Sequence, residues 1–268
     1  MRDAIFALIG IVVFSPSFEI LADAPVGWGH LRGRIIVEGK VPAKYHFRKG
    51  DPIYERQSLL ENIQGIPPEQ IGIHQEDLRD NSIQVSEKNG GLKNAFVYLQ
   101  KFTGEIHPAL KDSAKTPVEF RRRSIYECEP RALFLQTNQK LHLYNESPEV
   151  CSLHVYSIRN SGVNKLLPAV KESSELSWPH PERQPMVVKD DIHPEAKSYW
   201  LILDHPHAAI SKADGSFEIQ HLPAGKQTLK LWFEKIGFID NKLIAEIEPD
   251  KTTTLPPIKI PAEKLLDQ

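Results

Sequence analysis

Short apolar segments separated by frequent turn residues predict an all-β protein. The 268 residues include 21 Pro and 15 Gly, and the apolar runs between them are rich in β-branched and aromatic side chains, as is typical of strands. Phe217 and Ile219 alternate with Glu218, which predicts two side chains facing inward and one facing outward. The chain is long enough for two domains with cores, and we expect β-sandwiches.

The predicted strands are spread over most of the chain. In order, they include 31–37, 95–99, 132–135, 141–144, 199–203, 216–220 and 227–232. A hairpin is predicted from Leu133 to Tyr144, around Thr137-Asn138-Gln139. The last two strands predict a second hairpin through Pro223-Ala224-Gly225, preceded by a tight Asp214-Gly215 turn. Residues 54–65 predict a short helix within a long surface excursion.

Charge and motif content exclude several function classes. The net charge is −2 at pH 7, so we expect no nucleic-acid partner and no electrostatic attraction to anionic lipid. Arg121-Arg122-Arg123 is the one dense basic cluster, and we interpret it as a solvated strand end. No G-x-S-x-G, H-E-x-x-H or Walker motif is found. The sequence therefore predicts a protein that is not an enzyme.

The N-terminal residues predict export. Met1-Arg2 is followed by an apolar run from Ala4 to Phe14 and by Ala22-Asp23-Ala24, which resembles a cleavage site. We expect residues 1–24 to be a signal peptide, with an uncleaved anchor as the alternative. The apolar run is too short for a comfortable membrane span, so the mature chain is expected in the periplasm or at the cell surface without an integral span.

Cys128 and Cys151 are the only cysteines. In an oxidising compartment an even pair favours one disulfide, Cys128–Cys151. Two unpaired buried thiols are the alternative.

Two regions that are far apart in sequence resemble one domain. Residues 33–41 and 92–99 have the opening pattern, and 213–232 the closing pattern, of a small transthyretin-like or carboxypeptidase-regulatory-like β-sandwich. The resemblance implies an outer domain of residues 31–100 plus 206–260, with a second domain of residues 115–205 inserted between its halves. Two sandwiches in simple tandem are the alternative.

A set of motifs gives a second resemblance. They are Gly27-Trp28-Gly29, residues 89–99, Ile106-His107-Pro108-Ala109, Cys128-Glu129-Pro130 and residues 193–234. As a set they resemble exported cupredoxin-like proteins of planctomycete-type bacteria, often labelled methylamine-utilisation-like. The resemblance implies a cupredoxin-like β-sandwich, in which two His, one Cys thiolate and one Met would hold copper.

This chain departs from that ligand pattern at three of four positions. The resemblance places Cys151 where the family has its first ligand His, and Asp190 where it has the Cys. His193 matches the second His, and Ala196 replaces the Met. A blue-copper electron carrier is therefore not expected.

Two function classes remain from the sequence. The first is a non-catalytic binding or structural module with a degenerate copper site, no cofactor, and an unknown envelope protein or ligand as partner. The alternative is a copper or zinc site, or an electron-transfer site, built from Cys151, Asp190 and His193 with His154 nearby. A disulfide and a metal thiolate at Cys151 exclude each other. His205 and His207 form a His-x-His pair that could bind a metal on one strand face, but we interpret His205 as structural. His107 is expected to pack against a loop or to cap it.

Overall fold

The computed structural model describes residues 27–40, 82–124, 126–169 and 171–265. The predicted signal peptide and the predicted helix at 54–65 lie outside these residues. Among the described residues, no helix is long and apolar enough to cross a membrane.

Strands dominate the described residues. They are β1 Trp28–Glu38, β2 Phe96–Leu99, β3 Val118–Arg122, β4 Cys128–Glu129, β5 Ala132–Gln136, β6 Leu141–Asn145, β7 Cys151–Tyr156, β8 Val163–Leu167, β9 Lys171–Leu176, β10 Met186–Asp190, β11 Lys197–Leu203, β12 Ala208–Ile210, β13 Ser216–Pro223, β14 Gly225–Phe233, β15 Gly237–Ile247, β16 Thr252–Thr254 and β17 Ile258–Pro261. Short 3₁₀ turns span Pro108–Leu110, Ser113–Lys115 and Ala262–Leu265. The predicted all-β class is confirmed.

One pair of sheets, the outer sandwich, combines strands from both ends of the described chain. One sheet has the order β13-β1-β16, with β17 also on β1, and the other has the order β12-β2-β14-β15. Leu31, Ile35, Leu229 and Phe233 are fully buried between the sheets. The antiparallel β1–β13 and β2–β14 pairs join segments that are more than 100 residues apart. The transthyretin-like interpretation of this sandwich stays a prediction.

The second pair of sheets, the inner sandwich, is built by β3 to β11. One sheet has the order β4-β3-β6-β9, and the other has the order β5-β11-β10-β7-β8. Consecutive strands such as β3 and β4, or β10 and β11, pair antiparallel, whereas the parallel β3–β6 and β5–β11 pairs join strands that are not consecutive in the chain. Phe120, Leu135 and Trp200 are buried at its centre.

Both predicted hairpins are wrong. β5 pairs with β11 and β6 pairs with β3 and β9, so the turn at 137–139 carries the chain from one sheet to the other. Likewise, β13 pairs with β1, whereas β14 pairs with β2 and β15. The turn signals located the reversals correctly, but a local signal does not say whether the next strand stays in the same sheet.

The two sandwiches share a third apolar cluster and an ion pair. Phe96 and Trp232 of the outer sandwich pack with Leu201 of the inner one. Arg131, immediately before β5, donates two hydrogen bonds of 2.6 Å to Glu234, which follows β14. The two side chains are only 14% and 5% exposed, so their charges are poorly solvated and depend on each other.

The Arg131–Glu234 pair predicts a measurable contribution to stability. Replacing Glu234 with Gln keeps the shape but leaves the Arg131 charge without its bidentate partner. We expect the free energy of unfolding to fall by about 2–4 kcal/mol in chemical denaturation. Glu248→Gln, in the exposed pair with Lys251, is the matched control and is expected to change it by less than about 1 kcal/mol. Equal effects of the two substitutions would contradict this assignment.

Candidate functional site

The loop between β10 and β11 carries the residues that the resemblance to cupredoxin-like proteins places in a copper-binding loop. Its ends are closed by a hydrogen bond of 3.2 Å from the Asp190 amide to the Ala196 carbonyl. A second bond of 3.0 Å, from the Ala196 amide to the His193 carbonyl, tightens the turn. The amide of Asp191 donates to the Ser152 carbonyl on β7 at 2.9 Å. The sequence therefore folds into a compact loop that is fixed against the neighbouring strand.

A buried ion pair lies directly under this loop. Arg122 Nη2 is 2.7 Å from Asp190 Oδ2, and both side chains are fully buried. The same nitrogen is 2.8 Å from His193 Nδ1. Arg122 is the last residue of β3, so its guanidinium links this strand to the loop between β10 and β11.

The other amino group of Arg122 reaches the segment between β6 and β7. Its Nη1 donates to Ser147 Oγ at 2.6 Å and to the Glu149 carbonyl at 3.3 Å. Asn145 Nδ2 donates to the same carbonyl at 2.7 Å, and also to the carbonyls of Leu167 and Pro168, both at 3.0 Å. The guanidinium and this amide therefore fix the loop at the end of β6.

Asp190 is held as a carboxylate. Its Oδ1 accepts hydrogen bonds from the amides of Ser152 and Ile192, at 2.9 and 3.0 Å. Burial alone would raise the pKa of Asp190, but the hydrogen bond with His193 and the charge of Arg122 outweigh it and lower the pKa to about 2. At neutral pH the buried pair therefore consists of one cation and one anion.

His193 joins this pair to the surface. Its Nδ1 lies 3.0 Å from Asp190 Oδ2, and its Nε2 lies 3.2 Å from Glu149 Oε2. Both ring nitrogens of His193 are therefore used for contacts within the protein.

Cys128 and Cys151 are free thiols and are buried. Burial raises the pKa of Cys128 to about 12. Burial also raises the pKa of Cys151, and the negative charge of Asp190 adds to this effect. Both sulfurs are therefore in the thiol form at neutral pH.

The structure brings together three of the four residues predicted as metal ligands. Cys151, Asp190 and His193 face the interior around the Arg122 guanidinium. His154 lies three positions after Cys151 on β7, and this odd spacing directs it to the opposite face of the sheet. There its Nδ1 is 2.9 Å from Asp191 Oδ2, and its ring stacks on Tyr156.

Arg122 was missed as a site residue, and its interpretation as part of a solvated strand end is wrong. Arg121 and Arg123 do pair with surface glutamates, but Arg122 is fully buried. The available signal was the alternation of β3, because Phe120 is an inward residue and Arg122 stands two positions later.

These residues do not fit copper. A type-1 site needs a thiolate and two neutral imidazoles that converge on the ion. Here a guanidinium lies within hydrogen-bond distance of Asp190 and His193, and a metal cation in the same place would be repelled by it. Ala196 offers no sulfur. Across the described ranges, no group of three or more His, Cys, Asp or Glu side chains is arranged to hold a metal ion.

Solved structures similar to this chain include cupredoxins. A purple cupredoxin from Nitrosopumilus maritimus aligns over 32% of this chain and 98% of its own, with 9% identity and a TM-score of 0.27. An amicyanin mutant in its reduced state aligns over 40% and 97%, with 7% identity and a TM-score of 0.29. A copper-containing nitrite reductase from Thermus scotoductus aligns over 39% of this chain and 25% of its own, with 13% identity and a TM-score of 0.28.

Such weak likenesses carry no argument about copper or electron transfer in this chain. No family model matches the sequence, and no curated protein matches it. The assignment of this chain to the β-sandwich class rests on the strand order described above.

Removing the buried cation is expected to be costly. Arg122→Met leaves the Asp190 carboxylate buried without its ion pair, and we expect the free energy of unfolding to fall by about 3–5 kcal/mol. Adding Asp190→Asn removes the unpaired charge and should restore part of that loss. Arg121→Met, at the partly exposed neighbour, should cost no more than about 1 kcal/mol. If Arg122→Met lowers the free energy of unfolding only slightly, and the added Asp190→Asn restores none of it, then the pair does not link strand and loop.

Asp190 also predicts a loss of stability in acid. Its pKa is lowered from 3.8 to about 2 in the folded protein, so below pH 4 the unfolded chain takes up this proton first. The stabilisation is complete above about pH 4 and is lost as the pH falls toward 2. The side-chain carboxyl shift of Asp190, followed by NMR, should titrate near pH 2. A midpoint at or above 3.8 would contradict the buried ion pair.

Proposed function

We propose that this protein is an exported, non-catalytic binding module that holds a small organic anion in the cleft between its two sandwiches. The observation that carries the proposal is a group of four cationic side chains that line this cleft without an ion pair among the described residues. The loop that resembles a copper loop then has a structural role.

The cleft lies where the sandwiches meet and has a volume of about 420 Å³. The outer sandwich contributes Tyr98, Lys101 and Lys230 to its wall, and the inner sandwich contributes Arg159 and Arg183. Ligand sites favour such junctions between domains, and a volume of a few hundred Å³ suits a small molecule.

The cleft carries an excess of positive charge. Lys101, Arg159, Arg183 and Lys230 face Glu182 and Asp204 in its lining. Glu182 is buried and is already used within the protein: it accepts hydrogen bonds from the amides of Ile158, Arg159 and Asn160, and from the Asn160 side chain. The Glu182 carboxylate therefore fixes a loop, and its negative charge offsets the positive charges of the four cations only in part.

Lys230 is the most informative of these cations. Its Nζ lies 4.9 Å from the centre of the Phe238 ring, a cation–π contact that supports the ammonium without neutralising it. Burial lowers the pKa of Lys230, and the nearby charge of Arg183 lowers it further. An anion between Lys230 and Arg183 would relieve this repulsion and form charge-assisted hydrogen bonds, to either a carboxylate or a phosphate.

Binding of simple anions tests the proposal. Citrate and inorganic phosphate, titrated into isotope-labelled mature protein, are expected to shift the NMR signals of the cleft residues, with an affinity that falls as salt is added. Arg183→Gln and Lys230→Gln should each weaken binding at least about tenfold, because each removes a charged partner of the anion. Lys226→Gln, at an exposed position on the same strand β14, is the matched control and should bind as the wild type does.

Two results would overturn the proposal. One is the absence of shifts at the cleft with both probes, and the other is unchanged binding in Arg183→Gln and Lys230→Gln. A citrate response without a phosphate response would identify carboxylates as the ligand class.

A further inference from the structure

His205 lies in the wall of the cleft between the two sandwiches, in the segment that joins β11 to β12. It is only 2% exposed, and its ring packs on that of Phe102, with 5.5 Å between the ring centres. Phe102 and Leu203 belong to the same wall. The His205 ring is therefore held in place by its neighbours in the wall of the cleft.

One hydrogen bond fixes the position of the proton on this ring. The backbone amide of His207 donates to His205 Nδ1 at 3.3 Å. Because a backbone amide can only donate, Nδ1 carries no proton, and the neutral ring carries its proton on Nε2. This bond uses the Nδ1 side of the ring and leaves the Nε2 proton available for another acceptor.

The Nε2 atom of His205 is open to the cleft. It has no hydrogen-bond partner among the described residues. The buried side-chain atoms that lack a partner there include both ring nitrogens of His207, but not Nε2 of His205. An atom that has no partner and is not among the buried ones reaches solvent, and for His205 that solvent lies in the cleft that it lines.

His205 donates without carrying a charge. Burial lowers the pKa of its ring to about 4, although the negative charge of Asp204 acts in the opposite direction. The ring is therefore neutral at pH 7, and its Nε2 proton is a donor that adds no positive charge to the cleft. In this respect His205 differs from the four cationic side chains of the cleft.

A carboxylate stands beside this donor. Asp204 is exposed, directly precedes His205 and lines the same cleft. Its negative charge disfavours an anionic group of a ligand next to His205, whereas the cations Arg183 and Lys230 favour such a group where they lie. A hydroxyl group suits the pair, because its oxygen accepts from His205 Nε2 and its proton donates to the Asp204 carboxylate.

Starting from the proposed function, on which this step rests, we propose that the anion bound in this cleft carries a hydroxyl group, which His205 and Asp204 recognise. The anionic groups of the ligand lie against Arg183 and Lys230, and these contacts supply most of the affinity. The neutral donor and the carboxylate supply the selectivity, because a donor that loses water and meets no acceptor is costly. Hydroxy acids are the simplest members of this ligand class.

Two tricarboxylates that differ in one hydroxyl group provide the test. Citrate carries the hydroxyl, and tricarballylate has a hydrogen in its place, so both have the same charge when fully ionised in mildly alkaline buffer. Calorimetric titration of the mature protein should show that citrate binds about tenfold more tightly, because tricarballylate leaves the His205 donor without an acceptor. The ratio of the two affinities is the readout, since a general change in charge affects both ligands alike.

Two substitutions at His205 separate the roles of its ring nitrogens. His205→Asn places an amide oxygen near Nδ1 and can still accept from the His207 amide, but it lacks the Nε2 donor, so the ratio should fall to about one. His205→Gln places an NH₂ group near Nε2 and should keep most of the preference for citrate. Asp204→Ala, at an exposed position, should also lower the ratio. His142→Asn, outside the cleft, should leave it unchanged.

The possible results separate hydroxyl recognition from anion binding itself. If neither tricarboxylate nor phosphate binds at the cleft, the proposed function fails as well. Hydroxyl recognition alone is overturned if only phosphate binds, if both tricarboxylates bind with equal affinity, or if His205→Asn keeps the wild-type ratio. Thermal unfolding of each variant identifies a loss of binding that comes from a loss of folding, and in that case the wild-type ratio and Asp204→Ala decide.

Discussion

The inner sandwich depends on one buried ion pair, Arg122 with Asp190. The guanidinium ends β3, and the carboxylate ends β10 on the opposite sheet, so their 2.7 Å contact joins the two layers through charge. Neither group would be stable in the core alone, because an unpaired buried charge costs several kcal/mol. The hydrogen bonds to Ser147, Glu149 and His193 follow from that requirement, since each satisfies a donor or an acceptor that the pair has withdrawn from water.

A guanidinium and a metal ion can both hold several loops together in a protein core, but the consequences differ. Both are cations that draw loops from several strands toward one point. A metal leaves open the exchange of ligands and electrons, whereas Arg is permanently charged, planar and part of the chain. With Arg122 in place the loop at 190–196 is closed by the protein itself. The cationic cleft lies apart from this loop, at the junction of the two sandwiches.

The sequence predicted what depends on short-range patterns. The β class, the inward Phe217 and Ile219, and the Asp214-Gly215 turn all follow from alternation or from one or two neighbouring residues. The hairpins failed because pairing depends on strands more than 50 residues away. Arg122 was missed although its alternation with Phe120 predicted an inward position, because a basic triplet is usually solvated. The stacked rings of His107 and His221 come from distant parts of the chain, and no local pattern relates them.

The buried polar groups of the Arg122 network and of His207 differ in how far the fold satisfies them. Arg122 and Asp190 use hydrogen bonds within the chain and need nothing from outside. His207 is equally buried, yet its ring nitrogens have no partner among the described residues, and a Phe in its place would cost the fold less. The contacts of the described residues therefore account for the amino groups of Arg122 and the carboxylate of Asp190, but not for the ring nitrogens of His207.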